Sequence, residues 1–223
     1  MQINFYKTRG SSLNHHNTIK VGRPKSAEKR QQILAAASQL FLSNGYSGCS
    51  MEMVSKASDV SKQTVYSHFS NKEALFLAVI EQKCNEYQLD NRHIEVENTE
   101  LVEVLRERGL QLIKLLHDEQ VIAIYRVVIG EVKSNPRAAE LFYLGGPKHN
   151  LDYLAKCFIK FAKQTISEDV AHKCAVTFFS LLKSEFHIKS ILGLDFALSE
   201  SEQIEQVEFA IQQVEIFLEQ MLA

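Results

Sequence analysis

The stretch SMEMVSKASDVSKQTVYSHFSNKEAL, residues 50–75, contains two short helical patterns separated by a tight turn at Ser58–Val60. Ser50 precedes the first pattern and Ser61 precedes the second, each at the position where a serine hydroxyl caps a helix. Two short helices joined by a turn of three or four residues form a helix-turn-helix, whose second helix enters the major groove of DNA. The stretch therefore predicts a DNA-binding unit.

Helical patterns flank this stretch on both sides. From Ser26 onward apolar residues recur at spacings of three and four, and Asn44–Gly45 supplies a stop. A fourth helix is predicted to begin at the capping box of Ser70 and Glu73 and to run to about Leu89. The helix-turn-helix thus lies within a run of helices.

The rest of the chain also has helical periodicity, and sustained strand-like alternation is absent from the sequence. Asn135–Pro136 and Gly145–Pro147 are predicted turns or helix starts. Further helices are predicted at about 100–117, 119–134, 137–143, 148–164, 168–191 and 200–222. The predicted fold is all-α with roughly ten helices: a flexible basic arm (1–24), a three-helix DNA-binding domain (25–72) and a helical effector-binding and dimerisation domain (73–223).

Composition excludes several classes of protein. The 223 residues are 45% hydrophobic and 23% charged, and they include no uncharged apolar run long enough to span a membrane. The first twenty residues lack the apolar core of a secretory signal, so a cytoplasmic location without membrane attachment is expected. Four scattered cysteines and eight histidines form no metal-ligand spacing, so neither a metal nor a cofactor is predicted.

Charge is unevenly distributed along the chain. Residues 1–83 carry 11 Lys and Arg against 5 Asp and Glu, whereas residues 84–223 carry 14 against 22. Phosphate attraction supplies most of non-specific nucleic-acid affinity, so the basic third is the end expected to meet DNA. A solvated charged surface explains the same numbers equally well.

A family resemblance covers about 50 residues. It is carried by Ile33 through Ala37, Phe41, Gly45–Tyr46, Ser50, Val54 and the run from Val60 to Leu75. These positions resemble the DNA-binding domain of the TetR family of bacterial repressors. The later segments Glu131–Pro136, Leu141–Pro147 and Leu181–Leu194 resemble, more loosely, the C-terminal domain of its AcrR-like branch. The resemblance implies a homodimeric, ligand-responsive repressor whose C-terminal helices bind an effector and dimerise.

Two positions depart from the family pattern, because Asp59 and Gln63 stand where glycines are usual. Aspartate tolerates the left-handed backbone that the turn requires. A glutamine amide on the groove-facing helix can bind adenine N6 and N7, so Gln63 is predicted to read a base together with Lys62 and His68.

Other matched positions are predicted to contact the DNA backbone. The hydroxyls of Ser50 and Ser61 can grip a phosphate beside helix N–H groups, although both serines are caps in any case. Tyr66 and Lys72 resemble the family's phosphate contacts, while Thr64 suits either a phosphate or a thymine methyl group. A structural role, in which the Tyr66 ring packs in the core, explains this residue equally well.

The segment Gly22–Lys25 resembles the core of a minor-groove hook. Arg23 can reach into an A·T-narrowed minor groove, where the negative potential is enhanced. A solvated tail accounts for the same four residues.

An effector site is predicted among aromatic residues of the C-terminal domain, with polar anchors beside them. Arg126 interrupts an apolar run and, if buried, needs a ligand oxygen or an ion pair with Glu131 or Glu185. Aromatic residues at helical spacing are otherwise ordinary core. The ligand-binding candidates are Tyr125, Arg126, Phe142, Tyr143, Tyr153, Phe158, Phe178, Phe179, Glu185 and His187.

The last two long helices carry broad apolar stripes, which predict a four-helix interface between two copies of the chain. Such a dimer would place two recognition helices about 34 Å apart, one turn of a palindromic duplex. Two alternatives stay open: a C-terminal domain that binds a protein partner instead of a small molecule, and an all-helical enzyme. The enzyme alternative lacks a phosphate-binding loop or a nucleophile motif in the sequence.

Overall fold

The computed structural model describes residues 25–89, 100–194 and 196–222, and its regular structure in these ranges is entirely helical. The predicted all-α class is confirmed. The helices are α1 (Lys25–Gly48), α2 (Met51–Ala57), α3 (Lys62–His68), α4 (Lys72–Glu86), α5 (Leu101–His117), α6 (Glu119–Glu131), α7 (Pro136–Tyr143), α8 (His149–Phe161), α9 (Glu168–Ile191) and α10 (Glu200–Leu222).

The N-terminal core lies among α1, α2, α3 and the first half of α4. Ile33 and Phe41 of α1 are fully buried, and Val54 of α2 and Val65 of α3 close the core from the other side. The rings of Phe41, Tyr46 and Phe76 contact one another, with Phe76 edge-on to both at centroid distances of 4.9 Å. Side chains of α6 and α7 complete this core, so the two predicted domains share a packed interface.

The C-terminal core lies among α5, α8, α9 and α10. Its fully buried side chains include Leu112, Phe158, Phe178 and Val214. Helix α4 contributes to both cores, because Leu75 and Phe76 pack in the first and Cys84 in the second. Helix α6 does the same with Val128 and Val121. These two helices therefore connect the halves of the molecule.

The start of α4 differs from the predicted capping box at Ser70. The cap is Asn71, whose Oδ1 accepts a hydrogen bond from the Ala74 amide at 2.8 Å. Glu73 instead accepts hydrogen bonds from Arg137 of α7, at 2.8 and 3.1 Å. The boundary moves because the tertiary ion pair uses the carboxylate that the box would need.

The segment Gly145–Pro147, predicted as a turn or helix start, does not separate two helices. A single wide π turn, Leu144–Lys148, carries the chain from α7 into α8. Helix α4 presses on this turn: a β-carbon on Gly145 would lie 2.7 Å from Cδ1 of Leu77. The glycine is needed here for close helix packing.

The stop predicted at Asn44–Gly45 is confirmed as a break in α1. Gly45 has φ 73° and ψ 174°, a conformation that interrupts the helix before its last residues. Glu131, at the end of α6, lies directly against this glycine and accepts hydrogen bonds from the backbone and hydroxyl of Ser47 at 2.9 and 2.8 Å. The end of α1 is therefore tied to the end of α6.

In the described ranges, none of the helices is both long and apolar enough to cross a membrane. The four cysteines are buried free thiols.

Candidate nucleic-acid interface and internal cavity

The turn between α2 and α3 has the predicted geometry. Asp59 has φ 52°, the left-handed conformation expected of the residue that replaces the usual glycine. Ser50 Oγ accepts a hydrogen bond from the Met53 amide, and Ser61 Oγ accepts one from the Thr64 amide, both at 3.2 Å. Both serines are helix caps, as predicted.

Helix α3 presents one face to solvent and buries the other. Val65 is fully buried, and Phe69, just after the helix, is 4% exposed. On the opposite face Lys62, Gln63 and Tyr66 are exposed, with Tyr66 at 45%. Successive turns of a helix align positions three and four apart, so these side chains form one surface. This surface, with Ser67, is the candidate recognition face.

Two predicted contact residues lie at the edges of the recognition face. His68 is half-buried with its ring tilted against Phe69, and Thr64 is half-buried with its hydroxyl 2.8 Å from that of Ser61. Ser67, which sequence reasoning did not single out, is exposed on the face, and its hydroxyl donates to the Thr64 carbonyl at 2.7 Å. Its position one helical turn after Gln63 is the sequence feature that would have placed Ser67 on this face.

Lys72 lies at the start of α4 and has an intramolecular role. Its ammonium donates to the carbonyls of Tyr46 and Cys49 at 3.0 and 3.1 Å, and lies 4.4 Å from the Tyr46 ring centroid. A phosphate contact from this lysine has to use its remaining N–H. Arg23, the predicted minor-groove residue, lies outside the described residues.

Between α4, α5, α6, α7, α8 and α9 lies a small, partly open cavity of about 40 Å³. Of the predicted effector residues, Tyr125, Phe142 and Phe179 line it, and Tyr125 meets Phe142 edge-on at 4.7 Å. Residues that sequence reasoning missed supply polar atoms. Cys84 and Asn150 also line the cavity, and the buried Oδ1 of Asn150 has no hydrogen-bond partner.

The other predicted effector residues lie elsewhere. Tyr143 is 49% exposed, whereas Tyr153 is buried under the guanidinium of Arg108 at 3.7 Å. Phe158 and Phe178 are fully buried core, and Phe178 packs against Gly109 of α5. His187 lies just behind the cavity wall, edge-on to Tyr125 at 4.9 Å. No sequence pattern distinguishes these core aromatics from those of the wall.

Arg126 is exposed and binds the end of α9, donating to the carbonyls of Ser190 and Ile191. The predicted ion pairs with Glu131 and Glu185 are not formed, because Glu131 binds Ser47 and Glu185 pairs with Lys189. Carbonyls at a helix C-terminus attract a cation, which explains the different partner.

Comparison with known proteins matches both halves of the chain to models of one family. Residues 33–79 match the model of bacterial regulatory proteins of the TetR family. Residues 103–220, more than half of the chain, match the C-terminal domain of AefR-like transcriptional repressors.

Individual relatives align mainly through the N-terminal half. The transcriptional activator FasR of Mycolicibacterium smegmatis is 42% identical over 55 residues, 25% of each protein. The regulator UidR of Escherichia coli K12 is 30% identical over 112 residues, 50% of this chain and 56% of UidR. The chain thus spans about half, or less, of the length of these curated relatives.

Solved structures match over most of their length. A TetR-family regulator from Mesorhizobium loti has a TM-score of 0.65 and 25% identity, covering 86% of this chain and 97% of its own. The flavonoid-responsive regulator FrrA has a TM-score of 0.63 and 29% identity, with coverages of 84% and 95%. Since family models match its DNA-binding and C-terminal halves alike, the chain belongs to the TetR family of bacterial transcriptional regulators.

Proposed function

We propose that the chain is a homodimeric repressor that binds a palindromic operator and is released from it by a small, mainly apolar ligand. The proposal rests on one observation: α4 and α6 belong both to the cavity and to the core of the DNA-binding domain. Both helices line the cavity, and both pack in the core that supports the recognition face. A ligand in the cavity can therefore affect DNA binding by moving these two helices.

The DNA-binding part of the proposal rests on the outward face of α3. Lys62, Gln63 and Tyr66 can reach a duplex without displacing any part of the core. Lys62 lies 4.0 Å from Glu52, but both side chains are largely exposed, so the pair is weak and free to exchange for a phosphate or a base.

The ligand part follows from the size of the cavity. Ligand pockets commonly enclose about 300–1,000 Å³. A cavity of about 40 Å³ must therefore expand when an effector enters, and its walls include Ile80 and Cys84 of α4 and Ile124 of α6. Expansion pushes these helices apart and changes the orientation of the DNA-binding domain.

Two contacts transmit that movement. Glu131, at the end of α6, holds the end of α1 through Ser47. Arg137 of α7 holds Glu73 of α4 at 2.8 Å. The first contact joins the C-terminal half to the DNA-binding domain directly, and the second joins it to the start of α4, which packs in the same N-terminal core, so a shift of α6 and α7 moves that domain as a body.

The dimer part rests on exposed apolar side chains of the last two helices. Val176 on α9 and Phe209 and Ile216 on α10 are 38%, 47% and 49% exposed. Phe209 and Ile216 lie seven residues apart and share one face of α10. A second copy of the chain covers such a face in an isologous interface.

Selection of bound duplexes from a random DNA pool tests the operator. We expect an inverted repeat with half-sites about one helical turn apart, bound with a steep salt dependence. Equal binding of all duplexes at moderate salt would overturn the proposal.

A reporter tests the direction of regulation, since FasR is described as an activator. With the selected operator placed over a promoter, the chain is expected to lower expression. A rise instead assigns activation.

The alternative of a protein partner predicts a different outcome. A partner-controlled regulator retains its operator against a broad panel of hydrophobic compounds, whereas a ligand-controlled one loses it to some of them. The enzyme alternative is excluded by the family, whose members are transcriptional regulators. The proposed function also places the chain in the cytoplasm, where bacterial operators are.

A further inference from the structure

We infer that the effector is an organic acid whose anionic group is held by Lys183 and His187 while its apolar body occupies the enlarged cavity. This inference rests on the proposed function and names the chemistry of its ligand. It depends on a pair of basic side chains on α9, behind the wall formed by Tyr125 and Phe179.

His187 is a buried polar residue whose hydrogen bonds are unused. It is 6% exposed, and neither Nδ1 nor Nε2 has a hydrogen-bond partner. A neutral imidazole has one donor and one acceptor, and leaving both unpaired in a protein interior is costly. Burial, followed by the nearby Lys183 and the His117 ring, lowers the pKa of His187 to about 4, so the His187 ring is neutral at physiological pH and can donate one N–H to a ligand.

Lys183 is a half-buried cation without a counter-charge. Its ammonium lies 4.5 Å from the centroid of Phe179, and within the described ranges no carboxylate pairs with it. Burial lowers the pKa of this lysine. Most charged groups in a protein interior are paired, so this ammonium is a site at which an anion is stabilised.

The position of this pair connects it to the cavity. Phe179 both lines the cavity and carries Lys183 on its ring, and Tyr125 both lines the cavity and meets His187 edge-on. Phe179 and Lys183 are four residues apart and share one face of α9, and the exposed Val176 lies seven residues before Lys183, on the adjoining part of the same side. Lys183 therefore lies between the cavity wall and the side of α9 that is proposed to meet a second copy.

The chemistry of the ligand follows from these two environments. The cavity walls are mainly aromatic and aliphatic, with Lys83, Cys84 and Asn150 among them, which suits a largely apolar body. Two donors, the Lys183 ammonium and one N–H of His187, suit an oxygen anion better than a neutral group, because a hydrogen bond with a charged partner is roughly twice as strong as one between neutral groups. A carboxylate attached to an aryl or alkyl body satisfies both.

A library of carboxylic acids, each paired with its primary amide, tests the inference on the full chain without DNA. Thermal unfolding identifies binders, and calorimetry gives the Kd of the best acid and of its amide. We expect binders mainly among the acids, with a preference of about tenfold or more over the paired amide. Amides that bind as often or as tightly as the acids, or a library in which nothing binds, would overturn it.

Variants test whether Lys183 is the source of the preference for acids over amides. Lys183→Met is expected to weaken the acid by about tenfold and to leave an amide unchanged, because only the charge partner is lost. Lys173→Met, on the exposed side of the same helix and paired with Asp169, is the matched control and is expected to keep the preference. An unchanged preference in Lys183→Met, or in Lys183→Gln should the first variant not fold, contradicts the assignment.

Release of operator DNA, measured separately, distinguishes this inference from the proposed function. An acid that binds through Lys183 without releasing DNA leaves the inference standing and removes ligand-induced release. If a neutral compound releases DNA while acids fail to bind, ligand-induced release stands and the inference of an acidic effector is overturned.

Discussion

Gln63 is exposed on the recognition face, where its amide is predicted to read a base. We expect Gln63→Ala to lose discrimination at one base pair of the operator, by about 1–3 kcal/mol, because the bidentate amide contact disappears. Competition binding of operators substituted at each position measures this. The matched variant Tyr66→Phe removes a predicted phosphate contact and should weaken all sequences alike, so equal behaviour of the two variants would refute base reading by Gln63.

At the same scale, His187 makes stability depend on pH. Its folded pKa of about 4 lies below the ordinary value of 6.5, so the unfolded chain binds the proton more readily between these values. Stability from this group is present above about pH 6.5 and is lost as the pH falls toward 4, by about 1–3 kcal/mol. Urea unfolding of the wild type and of His187→Phe across pH 4.5–7.5 should show a smaller pH dependence in the variant. Parallel curves for the two proteins would show that the imidazole does not titrate as inferred.

At the scale of elements, the end of α1 depends on Gly45. An added β-carbon would lie 1.8 Å from Oε1 of Glu131, and φ 73° is unfavourable for alanine. We expect Gly45→Ala to destabilise the protein by about 1–3 kcal/mol, through backbone strain and loss of the Glu131 contact with Ser47. Gly130→Ala is the control: nothing lies within 4 Å of its added β-carbon, so chemical denaturation should show a gain of about 0.5–1 kcal/mol. A Gly45→Ala protein as stable as the wild type would mean that this break is not required.

At the scale of the whole molecule, dimerisation should be lost when charge is placed on the exposed face of α10. We expect the double variant Phe209→Glu and Ile216→Glu to sediment as a monomer and to bind the operator much more weakly, because one recognition helix contacts only one half-site. Ile129→Glu, a change at a 54% exposed residue of α6, should remain dimeric and serves as the control. Analytical ultracentrifugation decides the matter, and a dimeric double variant would place the interface elsewhere.

The sequence by itself determined the features that depend on neighbours along the chain. Helical periodicity, the caps at Ser50 and Ser61, the break at Gly45 and the left-handed turn at Asp59 are all set within a few residues, so all were predictable. Periodicity also distinguished the buried Val65 from the outer face of α3, since a helix of fixed pitch separates the two sides.

Only the tertiary structure decided what depends on distant partners. Arg126 binds the carbonyl end of α9 instead of Glu131 or Glu185. Lys72 donates a hydrogen bond to the end of α1. Glu73 pairs with Arg137 instead of capping its own helix. Three of the predicted aromatic residues line the cavity. Cys84 and Asn150 line it as well, and helical periodicity in the sequence does not identify them as cavity residues. Long side chains bind the partners that lie near them in space, and these partners, 26 to 65 residues away in the sequence, come near only when the cores pack.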